Sequence, residues 1–250
     1  MNWSARPRDK KKNILFKNIL YFSSPLAFND PFDSMLPIIF DQEYRKSEKF
    51  HRDFILADNI IGKTRYSEQE INSISKDRFL NPHKVKYDTD IMTKSIQKSI
   101  VERVRISCFT TKNDNILMWS HYADCHRGIC IGLATDYMQE GQLFMYAKVN
   151  YSKSFPKLKQ LHNNPLMYTK SLDWKYENEY RMINLDAYDQ IIYPKRAVHE
   201  VVIGYKMDED LKQSLITYLQ KKYPGVRISV SRPNQTMFKM DIMPVLNIVI

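Results

Sequence analysis

The chain has 250 residues, and its 38 Lys and Arg against 28 Asp and Glu give a net charge of +10. Only six residues are glycine, and no glycine-rich phosphate loop of the Rossmann or Walker type is present. The composition therefore excludes the common glycine-loop nucleotide enzymes and favours an anionic partner, with nucleic acid as one candidate. Since no obvious linker divides the sequence, we expect a single domain over residues 1–250.

The sequence also bears on the compartment of the protein. No apolar run reaches the ~18–20 residues of a membrane helix. The basic run Lys10–Lys12 precedes an apolar segment that polar residues interrupt, which is a poor signal peptide. The three cysteines, an odd number, suit a reducing environment better than a disulfide framework. We therefore expect a cytoplasmic protein without a membrane partner.

The N-terminal part of the chain predicts mainly helices. Residues 1–18 are basic and are expected to be irregular or to form a short helix. Leu20–Ser23 predicts a strand, and the Asn-Asp-Pro loop at residues 28–33 favours a fixed turn. Residues 41–104 are charged and predict helices. The last of these helices carries apolar residues at near-helical spacing, namely Ile91, Ile96, Ile100 and Val104.

After residue 104 the pattern changes to short strands, within the predicted region 105–250. One helix interrupts them at about Asp208–Tyr223, with acidic residues at its start and lysines at its end. Leu211, Leu215 and Leu219 predict its buried stripe. The predicted strands cover residues 105–110, 128–133, 145–151, 178–184, 200–205, 227–231, 237–242 and 246–250. The sequence therefore predicts an α+β fold, a helical half followed by a largely antiparallel sheet that is a candidate for a split sheet.

Two carboxylates and a cation alternate with apolar residues in the predicted strand near residue 180. Because successive side chains of a strand point to opposite faces, Glu177, Glu179 and Arg181 are expected on one face. Tyr180 and Met182 are expected on the other face, in the core. Carboxylates two residues apart lie about 6–7 Å from each other. Such a face is either solvated, which is the more common case, or a site.

A second segment concentrates polar and aromatic side chains within eight positions: Trp119, His121, Tyr122, Asp124 and His126. Rings that stack and side chains that donate hydrogen bonds suit a nucleotide pocket. The alternative is a short amphipathic helix whose Trp119 and Tyr122 only pack in the core.

Two other kinds of site have weaker support in the same segment. His121, Cys125, His126 and Cys130 have ligand chemistry for zinc, but no Cys-x-x-Cys pair is present. Cys125 and His126 are neighbours, but adjacency in sequence is not the geometry that a nucleophile and its base require. We therefore predict no metal site.

Four groups of segments occur in a fixed order: residues 20–25 with 28–33, residues 106–109 with 118–124, residues 173–181, and residues 201–204. Together they resemble the bacterial family called domain of unknown function 2971. The resemblance spans about residues 18–242. The family name implies no activity.

The order of an aromatic strand, an Asn-Asp-Pro loop, a strand with His and Tyr, and a late Glu-x-Glu strand also resembles the ADP-ribosyltransferase fold. The resemblance implies that NAD is bound as a substrate in the cleft of a split antiparallel sheet. It also implies a late glutamate that stabilises the oxocarbenium-like ribose. By motif, Glu179 is the catalytic glutamate and Glu177 the acceptor-side glutamate, with Arg181 beside them. Tyr122 or Trp119 would stack on the nicotinamide.

We expect the polar members of these motifs to converge in one cleft: Asn29, Asp30, His121, Tyr122, Glu177, Glu179 and Arg181. For Asn29 and Asp30, a turn-forming role is the alternative. The transferase fold also offers an Arg or His from its first strand. Here Arg6 or Arg8 is the candidate substitute, and the alternative is that the chain lacks this strand.

The sequence therefore predicts an NAD-dependent ADP-ribosyltransferase-like bacterial protein. It is a candidate phage-defence or toxin effector that modifies nucleic acid or protein and has a cognate regulator. One alternative is a nuclease-type effector. The other is a non-enzymatic nucleic-acid or nucleotide sensor, with Lys and Arg on phosphates and tyrosines on bases.

Overall fold

A computed structural model describes residues 14–61, 65–84, 89–134, 136, 144–160 and 165–245. The chain divides into two compact units, each built from segments that are distant in sequence. Unit 1 comprises residues 1–27, 103–149 and 173–250, and unit 2 comprises residues 28–102 and 150–172. Each unit has a hydrophobic core of its own. The expectation of a single domain stays a prediction.

The described strands and helices are named in chain order. The strands are β1 (Ile19–Tyr21), β2 (Ile39–Phe40), β3 (Arg105–Thr110), β4 (Ile129–Leu133), β5 (Met145–Lys148), β6 (Asn150–Ser152), β7 (Lys157–Leu158), β8 (Thr169–Ser171), β9 (Glu179–Asn184), β10 (Gln190–Ile192), β11 (Val198–Ile203), β12 (Arg227–Pro233) and β13 (Met240–Pro244). The helices are α1 (Gln42–Arg45), α2 (Glu48–Ile61), α3 (Glu68–Leu80), α4 (Thr89–Arg103), α5 (Ile116–Tyr122) and α6 (Glu209–Lys222).

Unit 1 contains a four-stranded sheet of order β13-β12-β11-β4 and a three-stranded sheet of order β3-β9-β5. Strands β1 and β10 form a further pair. Among the described pairs of this unit, β11 and β12 run parallel and the others run antiparallel. The combination of helices with these sheets confirms the predicted α+β class.

The strands predicted after residue 104 agree with the structure to within about three residues at each end. The segment predicted at 145–151 is two strands, β5 and β6, which lie in different units. The strand predicted at 246–250 lies outside the described residues.

The β11 strand shows why an unbroken apolar run folds here as a strand. It pairs with a neighbour on each side, and Val201, Val202 and Ile203 have no exposed surface. Val201 packs in a core cluster with Met182, whereas Val202 packs in a second cluster with Trp119. Adjacent side chains of a central strand thus bury opposite faces. The second cluster places α5 against this sheet.

Helix α6 begins at the N-cap Asp208, whose side chain accepts the backbone N–H of Leu211, and its predicted span is confirmed. Leu219 and Ile216 are buried, but Leu211 is 57% exposed, so the predicted stripe is wrong at its first position. At about 100° per residue, Leu211 lies roughly 110° from the middle of the face that Ile216 and Leu219 define. The helix therefore contacts the core with its later turns.

Unit 2 holds helices α1 to α4, which confirms the helical region predicted at residues 41–104. A capping box between Ser67 and Glu70 begins α3. Two short parallel strand pairs, β2 with β7 and β6 with β8, complete the unit. Of the predicted α4 stripe, Ile96 packs against the core and Ile100 is buried. The side chain of Ile91 lies outside the described residues.

Across the described ranges, no helix combines the length and the apolar character that a membrane crossing needs.

The two leucines of α6 provide a test of this packing. Leu219→Ala should lower the free energy of unfolding by about 2–5 kcal/mol, because it opens a cavity in the core. Leu211→Ala should change it by no more than about 0.5 kcal/mol, because the side chain is exposed. Urea unfolding of both variants measures the difference. Equal losses in the two variants would contradict the assigned face of the helix.

Candidate functional site

A buried ion pair lies at the start of the central strand β9. Glu179 and Arg181 are 3% and 1% exposed. Arg181 Nε donates to Glu179 Oε1 at 2.7 Å, and Arg181 Nη2 donates to Oε2 at 3.3 Å. Both oxygens of Glu179 are therefore held by one guanidinium in a two-pronged geometry. The interpretation of this face as a solvated strand surface is wrong, since the face is buried.

The opposite face of β9 also differs from the prediction. Met182 is buried and packs in the core, as expected, whereas Tyr180 is 39% exposed. Tyr180 lies between Phe109 of β3 and Lys148 of β5, near the end of the three-stranded sheet. The side chain of Tyr180 is not fully covered by its neighbours at that end of the sheet, so the prediction of a core position for Tyr180 is wrong.

Glu177 does not belong to the strand. It ends a 3-10 helix, Leu172–Glu177, and the next residue, Asn178, has a φ of +45°. This left-handed residue turns the chain between the two glutamates, so the predicted strand register of Glu177 is wrong. Glu177 is nevertheless 3% exposed, and its Oε1 accepts the Tyr122 hydroxyl at 2.6 Å.

One residue fixes the helix α5 against this 3-10 helix. The Asn115 side chain accepts the N–H groups of Leu117 and Met118 and so caps α5. Its Nδ2 donates to the carbonyl of Tyr176 at 2.9 Å. Asn115 therefore sets the start of the helix that carries Tyr122 next to the segment that carries Glu177.

The ring of Tyr176 extends the same contact. Its hydroxyl lies 3.1 Å from His121 Nδ1, and the two rings meet edge to face at 6.1 Å. His121 also meets Tyr122 edge to face at 6.2 Å. His121 is exposed, and the two tyrosines are half-buried. The structure thus brings His121 and Tyr122 close to Tyr176 and Glu177, which lie more than fifty residues later in the sequence.

Trp119 has a different environment. It has no exposed surface, its Nε1 donates to the Asn113 carbonyl at 2.7 Å, and its ring stacks on His126 with centroids 6.5 Å apart. The buried indole leaves no open face for a nicotinamide ring. The contacts of Trp119 are those of a core residue, which was the alternative to a role in stacking.

His126 lies in an unusual turn. Asp124, Cys125 and His126 have φ values of +51°, +51° and +69°. A Cβ at Gly204 would overlap the carbonyl oxygen of His126, so only glycine permits this close approach. The imidazole Nε2 lies 3.0 Å from Ser120 Oγ. Burial, and then the charge of Lys206, lower the pKa of His126 below its ordinary 6.5.

The cysteines near this turn differ in state. Cys125 is exposed, whereas Cys130 is fully buried. Burial raises the pKa of the Cys130 thiol to about 12, which keeps it protonated at neutral pH. Within the described ranges, no group of three or more His, Cys, Asp or Glu side chains is arranged to hold a metal ion.

Asn29 and Asp30 belong to unit 2, whereas the glutamates belong to unit 1. Asp30 is buried and its Oδ1 accepts the N–H of Phe32 at 2.9 Å, so it forms a turn. Convergence of this loop with Glu179 stays a prediction. Arg6 and Arg8 lie outside the described residues.

Sequence reasoning did not single out Asn115 or Tyr176 individually. Asn115 was accessible, because an Asn directly before the apolar run at residues 116–119 is a helix-start signal. Tyr176 lies within the motif at residues 173–181, and nothing local in the sequence indicates that its carbonyl and hydroxyl join two segments.

A comparison with protein families supports part of the resemblance. The pattern of the family described as "Protein of unknown function (DUF2971)" matches residues 118–182. The match covers most of α5 and the chain through Met182, so it includes Tyr122, Glu177, Glu179 and Arg181. Neither the curated proteins nor the solved structures gave a significant match to this chain. The likeness to the DUF2971 family is therefore supported over the segment that carries the candidate site.

The Tyr122–Glu177 hydrogen bond can be measured. Tyr122→Phe should lower the free energy of unfolding by about 1–3 kcal/mol, because a buried carboxylate oxygen loses this donor. The matched control is the same change in a Glu177→Gln background, where the loss should be smaller. Thermal or urea unfolding of the four proteins gives the coupling. An equal loss in both backgrounds would show that the charge of Glu177 adds nothing to this bond, because a glutamine oxygen can still accept the hydroxyl.

The lowered pKa of His126 predicts a pH dependence. Well above pH 6.5 the folded and unfolded states both hold a neutral imidazole, so the group has no effect. As the pH falls through 6.5, the unfolded chain binds the proton first, and the free energy of unfolding decreases. His126→Gln should flatten this decrease below pH 6.5. The variant should keep some decrease of the unfolding free energy with falling pH, because burial also lowers the pKa of His51. Identical slopes in both proteins would contradict the prediction.

Proposed function

We propose that the cluster of Tyr122, Glu177, Glu179 and Arg181 in unit 1 is the site of an NAD-dependent ADP-ribosyltransferase-like activity. The observation that carries the proposal is the burial of two carboxylates, one at the end of the 3-10 helix and one at the start of the strand β9, each 3% exposed. Buried charges are costly to fold, and a core rarely needs them. Groups of this kind concentrate where chemistry uses them.

The chemistry matches the residue types. In ADP-ribosyl transfer the bond between the nicotinamide nitrogen and ribose C1′ breaks, and neutral nicotinamide leaves with the bonding electrons. Positive charge then develops on the ribose. A carboxylate fixed in a water-poor site stabilises that charge without reorganising. Glu179 is such a group, because the guanidinium of Arg181 holds both of its oxygens.

Glu177 has the second role. As the acceptor nucleophile forms its bond to C1′, it loses a proton, and Glu177 is the base that takes it. The hydroxyl of Tyr122 donates to Oε1 and orients the carboxylate. Since both carboxylates are 3% exposed, NAD has to uncover them on binding.

The rings of His121, Tyr122 and Tyr176 provide the surface for the nicotinamide. They contact one another edge to face or by hydrogen bond, and each keeps some exposed area. A planar cationic ring gains from stacking on such aromatic faces. This assignment keeps Tyr122 as the stacking residue and leaves out Trp119.

The acceptor in this proposal is nucleic acid, which the net charge of +10 favours over protein. An activity that consumes NAD and modifies nucleic acid harms a cell that does not restrain it. The proposal therefore includes an effector of the defence or toxin type in the cytoplasm, with a cognate regulator.

The test uses NAD labelled in the adenylate and, separately, in the nicotinamide, with mixed cellular RNA, DNA and protein as acceptors. Glu179→Gln should lower nicotinamide release about 10²–10³-fold, because the variant loses the charge that faces the developing cation. Glu177→Gln should impair transfer to the acceptor more than it impairs NAD breakdown. Counting the label in released nicotinamide measures NAD breakdown, and counting the adenylate label on the acceptor measures transfer.

The control addresses stability. Glu179→Gln breaks a buried ion pair and is expected to cost about 3–5 kcal/mol of folding free energy. Glu200→Gln is the matched change, since Glu200 is a buried carboxylate of β11 that accepts Asn113 Nδ2 at 3.3 Å. The assay temperature is kept well below the midpoint of thermal unfolding of each variant. Absence of NAD turnover in the wild-type protein, or equal turnover in the Glu179 and Glu200 variants, would refute the transferase. Nucleic-acid binding without turnover would then favour the sensor.

A further inference from the structure

Unit 2 contains a cavity of about 170 Å³ that the proposed activity does not use. It is lined in part by Asp30, Phe32, Lys153, Phe155 and Thr169. Sites that enclose a whole drug-sized ligand measure roughly 300–1,000 Å³. This cavity is smaller, so it suits one planar ring with its substituents rather than a dinucleotide.

Two phenylalanines form an aromatic surface at the cavity. Phe32 is 54% exposed and Phe155 is 40% exposed. Their ring centroids are 5.8 Å apart, with the planes inclined at 45°. This separation is that of rings in direct contact, so no third ring fits between them. A ligand ring would stack on their open faces. Asp30 holds this surface in place, because its carboxylate accepts the N–H of Phe32.

Polar groups of two kinds accompany the rings. Thr169 is 4% exposed, and its Oγ1 is buried without a hydrogen-bond partner in the described structure. A buried hydroxyl is normally satisfied, so a ligand atom is a fitting partner for it. Lys153 is exposed on the loop after β6, where Ser152 Oγ donates to the Ser154 carbonyl at 2.7 Å and orders the turn.

We propose that this cavity binds one nucleotide unit, with the base on Phe32 and Phe155, a polar atom on Thr169, and the phosphate near Lys153. Aromatic stacking combined with a cation that tracks phosphate is the general mode of single-strand recognition. The source of the unit is either a free nucleotide or one nucleotide of a single-stranded chain. The inference does not rest on the transferase, because all the residues that carry it lie in unit 2.

The test measures binding of AMP, adenosine, phenyl phosphate and a short single-stranded oligonucleotide by titration calorimetry. Phe155→Ala should weaken binding about 5- to 100-fold. Lys153→Gln should reduce the salt dependence of oligonucleotide binding by about one charge. Thr169→Val should weaken binding without lowering the midpoint of thermal unfolding, since the hydroxyl has no partner to lose.

The controls are matched by residue type. Phe238→Ala removes a fully exposed ring of unit 1, and Lys157→Gln removes an exposed lysine of β7. Both should leave binding unchanged. Binding of AMP identifies a free nucleotide, and binding of the oligonucleotide alone identifies a strand. Equal binding by the Phe155→Ala and Phe238→Ala proteins overturns the proposal. The proposal is also overturned if adenosine or phenyl phosphate binds more tightly than AMP. It is overturned as well if none of the probes binds.

Discussion

The buried ion pair between Glu179 and Arg181 is the constraint on which the site depends. The two residues stand on one face of β9, the middle strand of three, with only 3% and 1% of their surface exposed. Hydrogen bonds to β3 and β5 fix the backbone that carries the pair on both sides. Taking two charges out of water is expensive, and apolar residues of similar size would fill the same space at lower cost. Such a pair is weak evidence for a role in stability, and we propose that it is retained for chemistry.

The rest of the site is attached to this strand by a few hydrogen bonds. Asn178 turns the chain with a positive φ and places Glu177 outside the strand. Asn115 joins the 3-10 helix to the start of α5. Tyr122, at the end of α5, donates a hydrogen bond to Glu177. Two segments separated by more than fifty residues thus form one cluster. The family match over residues 118–182 includes both Tyr122 and Glu177, whereas Asn115 lies just before it.

Local patterns predicted the elements well and burial less well. Strand Arg105–Thr110 and helix Glu209–Lys222 follow from alternation and from charged helix ends, which are properties of a few neighbouring residues. Tyr180 fits the strand alternation and Leu211 fits the helical spacing, but both are exposed. The burial of a side chain depends on where the neighbouring strands and the core end, which a local pattern does not show. The strand register of Glu177 failed for another reason: Asn178 adopts the αL conformation, in which Asn is enriched, whereas the alternating pattern predicted an extended residue there. Burial of Glu179 with Arg181 was not predictable, since a charged strand face is usually solvated.

The most direct measurement of the central claim is the free energy of unfolding of the double variant Glu179→Leu/Arg181→Met, compared with each single variant. If the charges are retained for chemistry, each single change leaves one buried charge without this partner and costs about 3–5 kcal/mol. The double variant should then be at least as stable as the wild-type protein. A double variant that is less stable than either single variant would show that the ion pair holds the sheet together, and it would contradict the account.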